Sequence, residues 1–564
     1  MTGRLAAGLV VAAALAFPAS AFAHAALLRT APSASVTVNG SPKHVSLTYS
    51  EAVEPRFAIV SVTNADATPE TAGPPRRDAA NADQLDVPLK HLGRGWYLVV
   101  WRVISVDGHP VRGAFTFAVG PNAGPAPQFK IPSLSETAAT PTLIAARWAV
   151  FLSFMAAIGL FVLRMFVARP LESPPRALAV AFWVALGVSV VATPVYVLLA
   201  TAKFALRSFW SWGALIPLLR TSAFGRGYLD LELVLVLFAV AAGIAFWVER
   251  PQRGPRTLAE IFSVGGVLLC AAAAALVPGV AGHAAQTAPR GLSVTLDALH
   301  VASGALWVGG LIGLLVLWRS LGVARRLAGL ALCVPRFSNI ALLSVTVLLG
   351  SGLAASVLRL PTLGALWQTS YGQAILVKAG ILLTAMAVAS VNLFRTVPGL
   401  RSSAPTTPIA GLLRTLVSVE VLLVASAVVV AAVLSSLPPP PKALAAEGKA
   451  TAQTGPGPVT KVVSSHGYQL QFHVTPNRAA VPNDFAVRIS RNGSPVTGVD
   501  VTATFNMLDM EMQSQTYQLS ESSPGLYEHS APALVMVGHW GLSFAITPPG
   551  GTPFNILLVD RANG

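Results

Sequence analysis

Two short stretches carry side chains suited to holding a metal ion: AFAHAALL, with His24, and SVDGHPVRG, with Asp107 and His109. A histidine at the first position of a mature chain offers its α-amine and its imidazole Nδ1, which close a chelate ring on one ion. Asp107 and His109 are two apart, so on an extended segment both side chains leave the same face. Nitrogen and oxygen donors in a tetragonal plane suit Cu(II), which also ranks highest among divalent first-row ions for such ligands. Zinc competes, because it accepts His and carboxylate in a tetrahedron. Each piece also has a plain reading: His24 as the residue where a peptidase cut, and Asp-Gly-His-Pro as an ordinary turn.

A second group lies in apolar sequence. His283 in VPGVAGHAAQ and His300 in TLDALHVASGALWVGG are separated by a short connection, and Asp297 stands one turn before His300 on the same helical face. Two imidazoles at the mouth of a bundle, one oriented by a carboxylate, are a candidate metal site. Met155, Cys270 and Met386 are soft donors suited to Cu(I), although such a residue is more often ordinary lipid-facing or core filling. Lys378 and Glu420 also fall inside apolar runs, where a structural ion pair is the first expectation for each. Near the C-terminus, Met510 and Met512 alternate on one strand face in NMLDMEMQSQ, and VMVGHW adds Met536 and His539. Thioether and imidazole favour Cu(I), whereas alternating Met in a β-protein is more often core; His466 and His473 are further candidates there.

These residues need a frame. The chain has 564 residues, 53% hydrophobic and 11% charged, with a mean hydropathy of +0.62, which places most of it in a membrane. Residues 1–23 read as a signal peptide: Arg4, an apolar run from Leu5 to Phe17, then Ala21-Phe22-Ala23. From 24 to 120, stretches such as HVSLTYS, RFAIVSVT and WYLVVWRVIS between Pro, Gly and Asn clusters predict an Ig-like β-sandwich. Residues 121–141 form a Pro-rich linker. Between 142 and 437, eight apolar runs predict an eight-helix transmembrane bundle: Thr142–Val167, Ala177–Ala202, Leu229–Val248, Glu260–Ala281, Ser293–Trp318, Arg336–Leu358, Gly372–Phe394 and Ile409–Leu437. A tether at 438–460 leads to a second β-sandwich over 461–564.

The net charge of +15 is a matter of topology, since the arginines fall between apolar runs and form no patch for nucleic acid. Arg169 and Arg176, Arg250 to Arg256, Arg319 to Arg326, and Arg395 with Arg401 mark cytoplasmic loops. The loop with Lys203, Arg207, Arg220 and Arg226 breaks the rule, and Trp210 and Trp212 place it along the interface. Both sandwiches are then extracytoplasmic, in a bacterial plasma membrane. Cys270 and Cys333 lie in or beside spans, so no disulfide framework is readable. No G-x-x-x-x-G-K-[ST] or D-K-T-G-T stretch offers nucleotide-driven pumping.

HAALLRTAPSAS, SLTYSEAVEP and WRVISVDGHPVRGAFTFAV together resemble the periplasmic copper-binding family CopC across nearly the whole first domain. The resemblance implies that His24, Asp107 and His109 bind Cu(II), with Glu51 a weaker additional oxygen donor. The Met-rich Cu(I) site of some members is absent, as no Met lies between His24 and Gly120. DALHVASGALWVGGL, PRFSNIALLSVTVLLGSGLAAS and YGQAILVKAGILLTAMAVASVN resemble the CopD copper-transport membrane domain, which implies copper movement, with His283 and His300 as candidate ligands. Tyr468 to Leu558 loosely resembles YtkA-like domains. The expectation is therefore a copper-handling membrane protein, not an enzyme. It takes copper ions as cargo, Cu(II) in the first domain and Cu(I) in the bundle and last domain, and has the lipid bilayer and a periplasmic copper chaperone as partners. A copper-brace oxidase and a membrane electron carrier with haem on His283 and His300 are the alternatives.

Overall fold

The computed structural model describes residues 27–33, 36–49, 53, 55–104, 110–121, 140–171, 173–205, 207–221, 223–249, 255–401, 407–437, 450–479, 481–508, 514–535 and 537–563. They form two compact units, one of long helices and one that combines the β-strands of both ends of the chain with Leu360–Gln373.

The helical unit contains α1 (Pro141–Val162), α2 (Arg176–Phe204), the short α3 (Trp212–Thr221), α4 (Ala223–Val248), α5 (Leu258–Ala281), α6 (Arg290–Ser320), α7 (Val323–Arg359), α8 (Ser370–Val391) and α9 (Thr407–Leu434). Among the described residues eight helices are long and apolar enough to cross a bilayer, in agreement with the eight expected spans. α1 and α8 each run on through a π-helical turn, Leu163–Val167 and Asn392–Thr396. α5 begins on a capping box: the Glu260 N–H donates to Thr257 Oγ1 at 3.3 Å, and Thr257 N–H donates back to Glu260 Oε2 at 2.7 Å.

Many large apolar side chains on these helices point outward. Phe262, Leu269 and Leu353 are each at least 70% exposed, a pattern that only a lipid solvent tolerates. With little hydrophobic force between helices in lipid, close packing must hold them together, and small residues permit it. α1 and α6 touch at Gly159 and Gly309, where a Cβ on Gly159 would lie 2.6 Å from Gly309 Cα. Arg147 joins α1 to α2 and α9: its guanidinium donates to Tyr196 Oη at 2.6 and 2.8 Å, and to Ser435 and Ser436 Oγ at 3.0 and 2.6 Å. The arginines at the other end are held as well. Arg164 pairs with Glu249 at 2.7 Å, and Arg326 and Arg414 lie over the Trp318 ring at 4.3 and 4.7 Å. Trp210 and Trp212, at the start of α3, are exposed.

In the β unit the N-terminal sandwich packs the sheet β1-β3-β6-β5 on β2-β8-β7-β4. Its strands are β1 (Leu27–Ala31), β2 (Thr37–Val38), β3 (His44–Tyr49), β4 (Ile59–Asn64), β5 (Arg76–Arg77), β6 (Gln84–Pro88), β7 (Gly95–Ile104) and β8 (Pro110–Val119). Alternation directs Val45, Leu47 and Tyr49 from one sheet against Val99, Trp101 and Phe115 from the other, all buried. The C-terminal domain comprises β9 (Ala452–Gln453), β10 (Val459–Ser465), β11 (Tyr468–Thr475), β12 (Asn483–Arg491), β13 (Ser494–Pro495), β14 (Asp500–Met507), β15 (Gln515–Ser523), β16 (Leu526–Ala531), β17 (Gly538–Thr547) and β18 (Phe554–Ala562). β15 pairs with β14 on one side and β16 on the other, so it links the two sheets of this sandwich.

The two sandwiches are not separate beads. The Ala114 N–H on β8 donates to Val535 O at 3.0 Å, and Leu360 and Ala365 pack with Leu508 and Val559 of the C-terminal domain.

Candidate functional site

His24, Glu51, Asp107 and His109 lie outside the described residues, as do Met510, Met512 and Met536; for His283 only the backbone, in a 3-10 turn at His283–Gln286, is described. The described residues that flank the first group are nonetheless placed together. Leu27 pairs with Tyr49, the Tyr49 and Trp101 rings meet edge to face at 5.8 Å, and Ile104 pairs with Pro110 across the β7–β8 hairpin. Ser41, at the other end of β3, accepts a hydrogen bond from Leu92 N–H at 2.8 Å just before β7 begins. β3 and β7 therefore run alongside one another. The strand ends that lead toward His24, Glu51 and the Asp107/His109 segment are at one end of this sandwich.

In the helical unit His300 is fixed from α7 and α8. Nδ1 lies 3.0 Å from Leu348 O and 3.3 Å from Ser351 Oγ. A backbone carbonyl only accepts, so Nδ1 carries the proton and Nε2 keeps its lone pair. Gly352 makes the approach feasible, since a Cβ there would meet His300 Cε1 at 3.0 Å. Nε2 in turn accepts from Lys378 Nζ at 3.3 Å. An imidazole anchored through Nδ1–H to a carbonyl, with Nε2 presented to a cation, has the arrangement that orients metal-ligating histidines. Here the cation facing Nε2 is the amine of Lys378.

Asp297 does not orient His300, contrary to the sequence expectation. It pairs with Arg359 at 3.5 Å. Sharing a helical face was insufficient, because the imidazole turns toward α7 while the short carboxylate is claimed by the guanidinium at the end of α7. Lys378 likewise has a histidine as its partner and Glu420 an amide: Asn392 Nδ2 donates to Glu420 Oε1. Neither forms an ion pair with the other. Cys333 is buried, with its thiol on Val167 O at 3.6 Å, and Cys270 is half-exposed; both are free thiols. Met155 packs at α6, where its Cε would lie 2.8 Å from a Cβ on Gly304.

The C-terminal histidines are dispersed. His466 stacks on Phe554 at 4.6 Å, whereas His473 sits seven residues further on, bonded to Thr460 Oγ1 at 3.0 Å, a strand separation of roughly 23 Å. His539 pairs in register with Arg561, at the opposite end of β17 from Ile546, the residue that pairs with Phe554. Among the described residues no group of three His, Cys, Asp or Glu side chains is arranged to hold a metal.

Eight spanning helices between two β-rich domains define a multi-pass membrane protein. Its parts match known families in order: CopC domain over residues 27–120, Copper resistance protein D over 331–434, and YtkA-like over 463–545. "Copper transport protein CutJ" of Bacillus subtilis (strain 168) is 26% identical over 543 residues, covering 93% of both chains. "Copper resistance protein C" of Xanthomonas campestris pv. juglandis is 36% identical over 117 residues, 20% of this chain and 90% of that one. Among solved structures, CopC from Methylosinus trichosporium OB3b is 29% identical and matches 19% of this chain and 100% of its own, with a TM-score of 0.16. The chain belongs to the family of CopC–CopD copper transport and resistance proteins.

Proposed function

We propose that this protein captures Cu(II) on the extracytoplasmic side with His24, Asp107 and His109, and passes copper inward through the bundle by way of His283 and His300. Glu51 is a further oxygen donor at capture. The observation that carries the reading is the state of His300, whose Nε2 lone pair is aimed at a cationic side chain inside a membrane span. The convergence of strand ends at one end of the first sandwich supports the capture site. Inward movement needs no nucleotide, since the membrane potential favours entry of a cation by about 2.3 kcal/mol per charge per 100 mV. Met510, Met512 and His539 are the soft donors of the last domain, and a periplasmic chaperone is a source of copper. The protein acts as a carrier, not as an enzyme.

The test is cellular copper in a strain lacking this chain, grown under copper scarcity. A fall relative to the parent, restored by the intact chain and not by a His300→Ala variant, is the expected result. Unchanged or raised copper refutes inward transport.

A further inference from the structure

A cavity of about 210 Å³ lies within the helical unit, bordered by α6, α7, α8 and α9. On three of these helices it is displaced from the His300 layer by a similar interval. Trp307 is seven residues beyond His300 on α6, Ala341 is seven before Leu348 on α7, and Met386 is eight beyond Lys378 on α8. At 1.5 Å per residue the cavity lies roughly 10–12 Å deeper along the same seam.

Its lining is apolar apart from Ser338, Ser390, Asn392 and Glu420, with Met386 adding a thioether. Glu420 is 2% exposed. Among the described residues no basic side chain pairs with it, and its one hydrogen bond is the Asn392 amide on Oε1. Asn392 is itself fixed, since Thr396 Oγ1 donates to its Oδ1 at 3.0 Å, and it opens the π-helical turn Asn392–Thr396. Such turns recur at functional sites because they displace a side chain from the regular helical face. At membrane depth the ionised form of a carboxyl group with one oxygen tethered, the other unpartnered and a cavity beside it is costly unless a proton or a visiting cation neutralises it.

We propose that this cavity is a second station for a monovalent soft metal cation, Cu(I), with the Glu420 carboxylate and the Met386 thioether as ligands and Asn392 as the positioning residue. The inference rests on the reading of His300 as the preceding station. Carboxylate supplies the neutralising charge and thioether the preference for a soft ion. The seam then holds two stations, and the ion moves between layers without crossing the full apolar span in one step.

The test counts Cu(I) bound by the full chain in lipid nanodiscs, under reductant and against a competing chelator, together with Cu(I) flux into sealed vesicles. Glu420→Gln is expected to bind one ion fewer than the parent, to keep the ion lost in His300→Ala, and to slow flux roughly 10- to 100-fold. Met386→Leu, which keeps the shape and removes the sulfur, is expected to weaken the same ion and to leave the His300 ion unchanged. It also decides the matter if Glu420→Gln does not reach the membrane. Parental stoichiometry and flux in Glu420→Gln, or in Met386→Leu where that variant decides, overturn the proposal. If Glu420→Gln loses an ion and His300→Ala does not, the cavity stands and the His300 reading falls.

Discussion

Lys378→Met should make the bundle bind copper more tightly and release it more slowly. In the parent chain an ion reaching His300 must first displace Lys378 Nζ from Nε2, at 3.3 Å. A hydrogen bond to a charged group contributes about 1.5–3 kcal/mol, and 1.4 kcal/mol is tenfold in affinity, so removing the competitor tightens binding by about 10- to 100-fold. Repulsion acts in the same direction, since two unit charges about 4 Å apart differ by about 4 kcal/mol at an effective dielectric of 20. Stability should not suffer, because a lysine at membrane depth costs about 2.5–3.5 kcal/mol that Met does not. Competitive Cu(I) titration of the full chain in nanodiscs measures the effect, with Lys378→Arg as the variant that keeps the charge and should stay weak. Flux at saturating copper should fall as the ion becomes harder to release. Equal or weaker binding in Lys378→Met, or a gain that persists when His300 is also Ala, would refute the placement of Lys378 as the occupant of the metal position.

Four other outcomes follow, the last three from named contacts. An extra Ala before His24 should alter the Cu(II) electron paramagnetic resonance spectrum of the chain, and an unaltered spectrum would remove the terminal amine from the ligand set. Gly113→Ala would put a Cβ 2.6 Å from Cζ2 of the buried Trp101, an overpacking that should cost about 1–3 kcal/mol; unchanged hydrogen-exchange protection of β7 and β8 would contradict it. Tyr527→Phe removes a hydroxyl that donates to Val496 O at 2.9 Å and accepts from Val499 N–H at 2.9 Å, so it should cost about 1–3 kcal/mol by urea unfolding, and a cost near zero would show that water replaces both bonds. Burial raises the Asp560 carboxyl above its ordinary value, partly offset by Thr454 and Asn477, so the folded state holds that proton more tightly than the unfolded chain. Its contribution is full below the unfolded value of about 3.9 and declines as pH rises through the raised folded value; Asp560→Asn should flatten protection of β18 across that window, and an unchanged slope would assign it to another group.

The spans were legible because a helix crossing lipid must be apolar over a fixed length, whatever it packs against. Their ends were less so. α7 begins at Val323 rather than Arg336, because the helix continues through Pro335, a residue that reads as a start in water and is tolerated in a packed membrane helix. The strand β15 has a single buried side chain, Leu519, and hence little hydrophobic alternation to detect. β18 has the opposite fault: FNILLVDRA is buried on both faces and shows no period of two. At the site, His300 was recognisable as a polar residue in an apolar run. Its partners were not, since Leu348, Ser351 and Lys378 are 48, 51 and 78 residues away and the decisive acceptor is a backbone carbonyl, which has no residue-type signature. The pairing of Glu420 with Asn392 was hidden for the same reason, whereas Asp297 misled because helical spacing reports a shared face and not the direction of an imidazole.

Topology and packing agree on a point that neither was required to reveal. Eight spans place the segment before the first, the loop between the sixth and seventh, and the tail after the eighth on one side of the bilayer. Those are the segments whose described residues share one compact unit: the N-terminal sandwich, Leu360–Gln373 and the C-terminal sandwich. The contacts are specific, with the Ala114 N–H on Val535 O, and Leu360 and Ala365 against Leu508 and Val559. These contacts tie the two sandwiches and Leu360–Gln373 into one unit, so they can be tested within it. Ala365 is fully buried, and Ala365→Asp would place a carboxylate against Leu508 and Val559. It should lower hydrogen-exchange protection of β18 by loosening that packing; unchanged protection would show that the segment between the sixth and seventh spans adds nothing to the stability of the β unit.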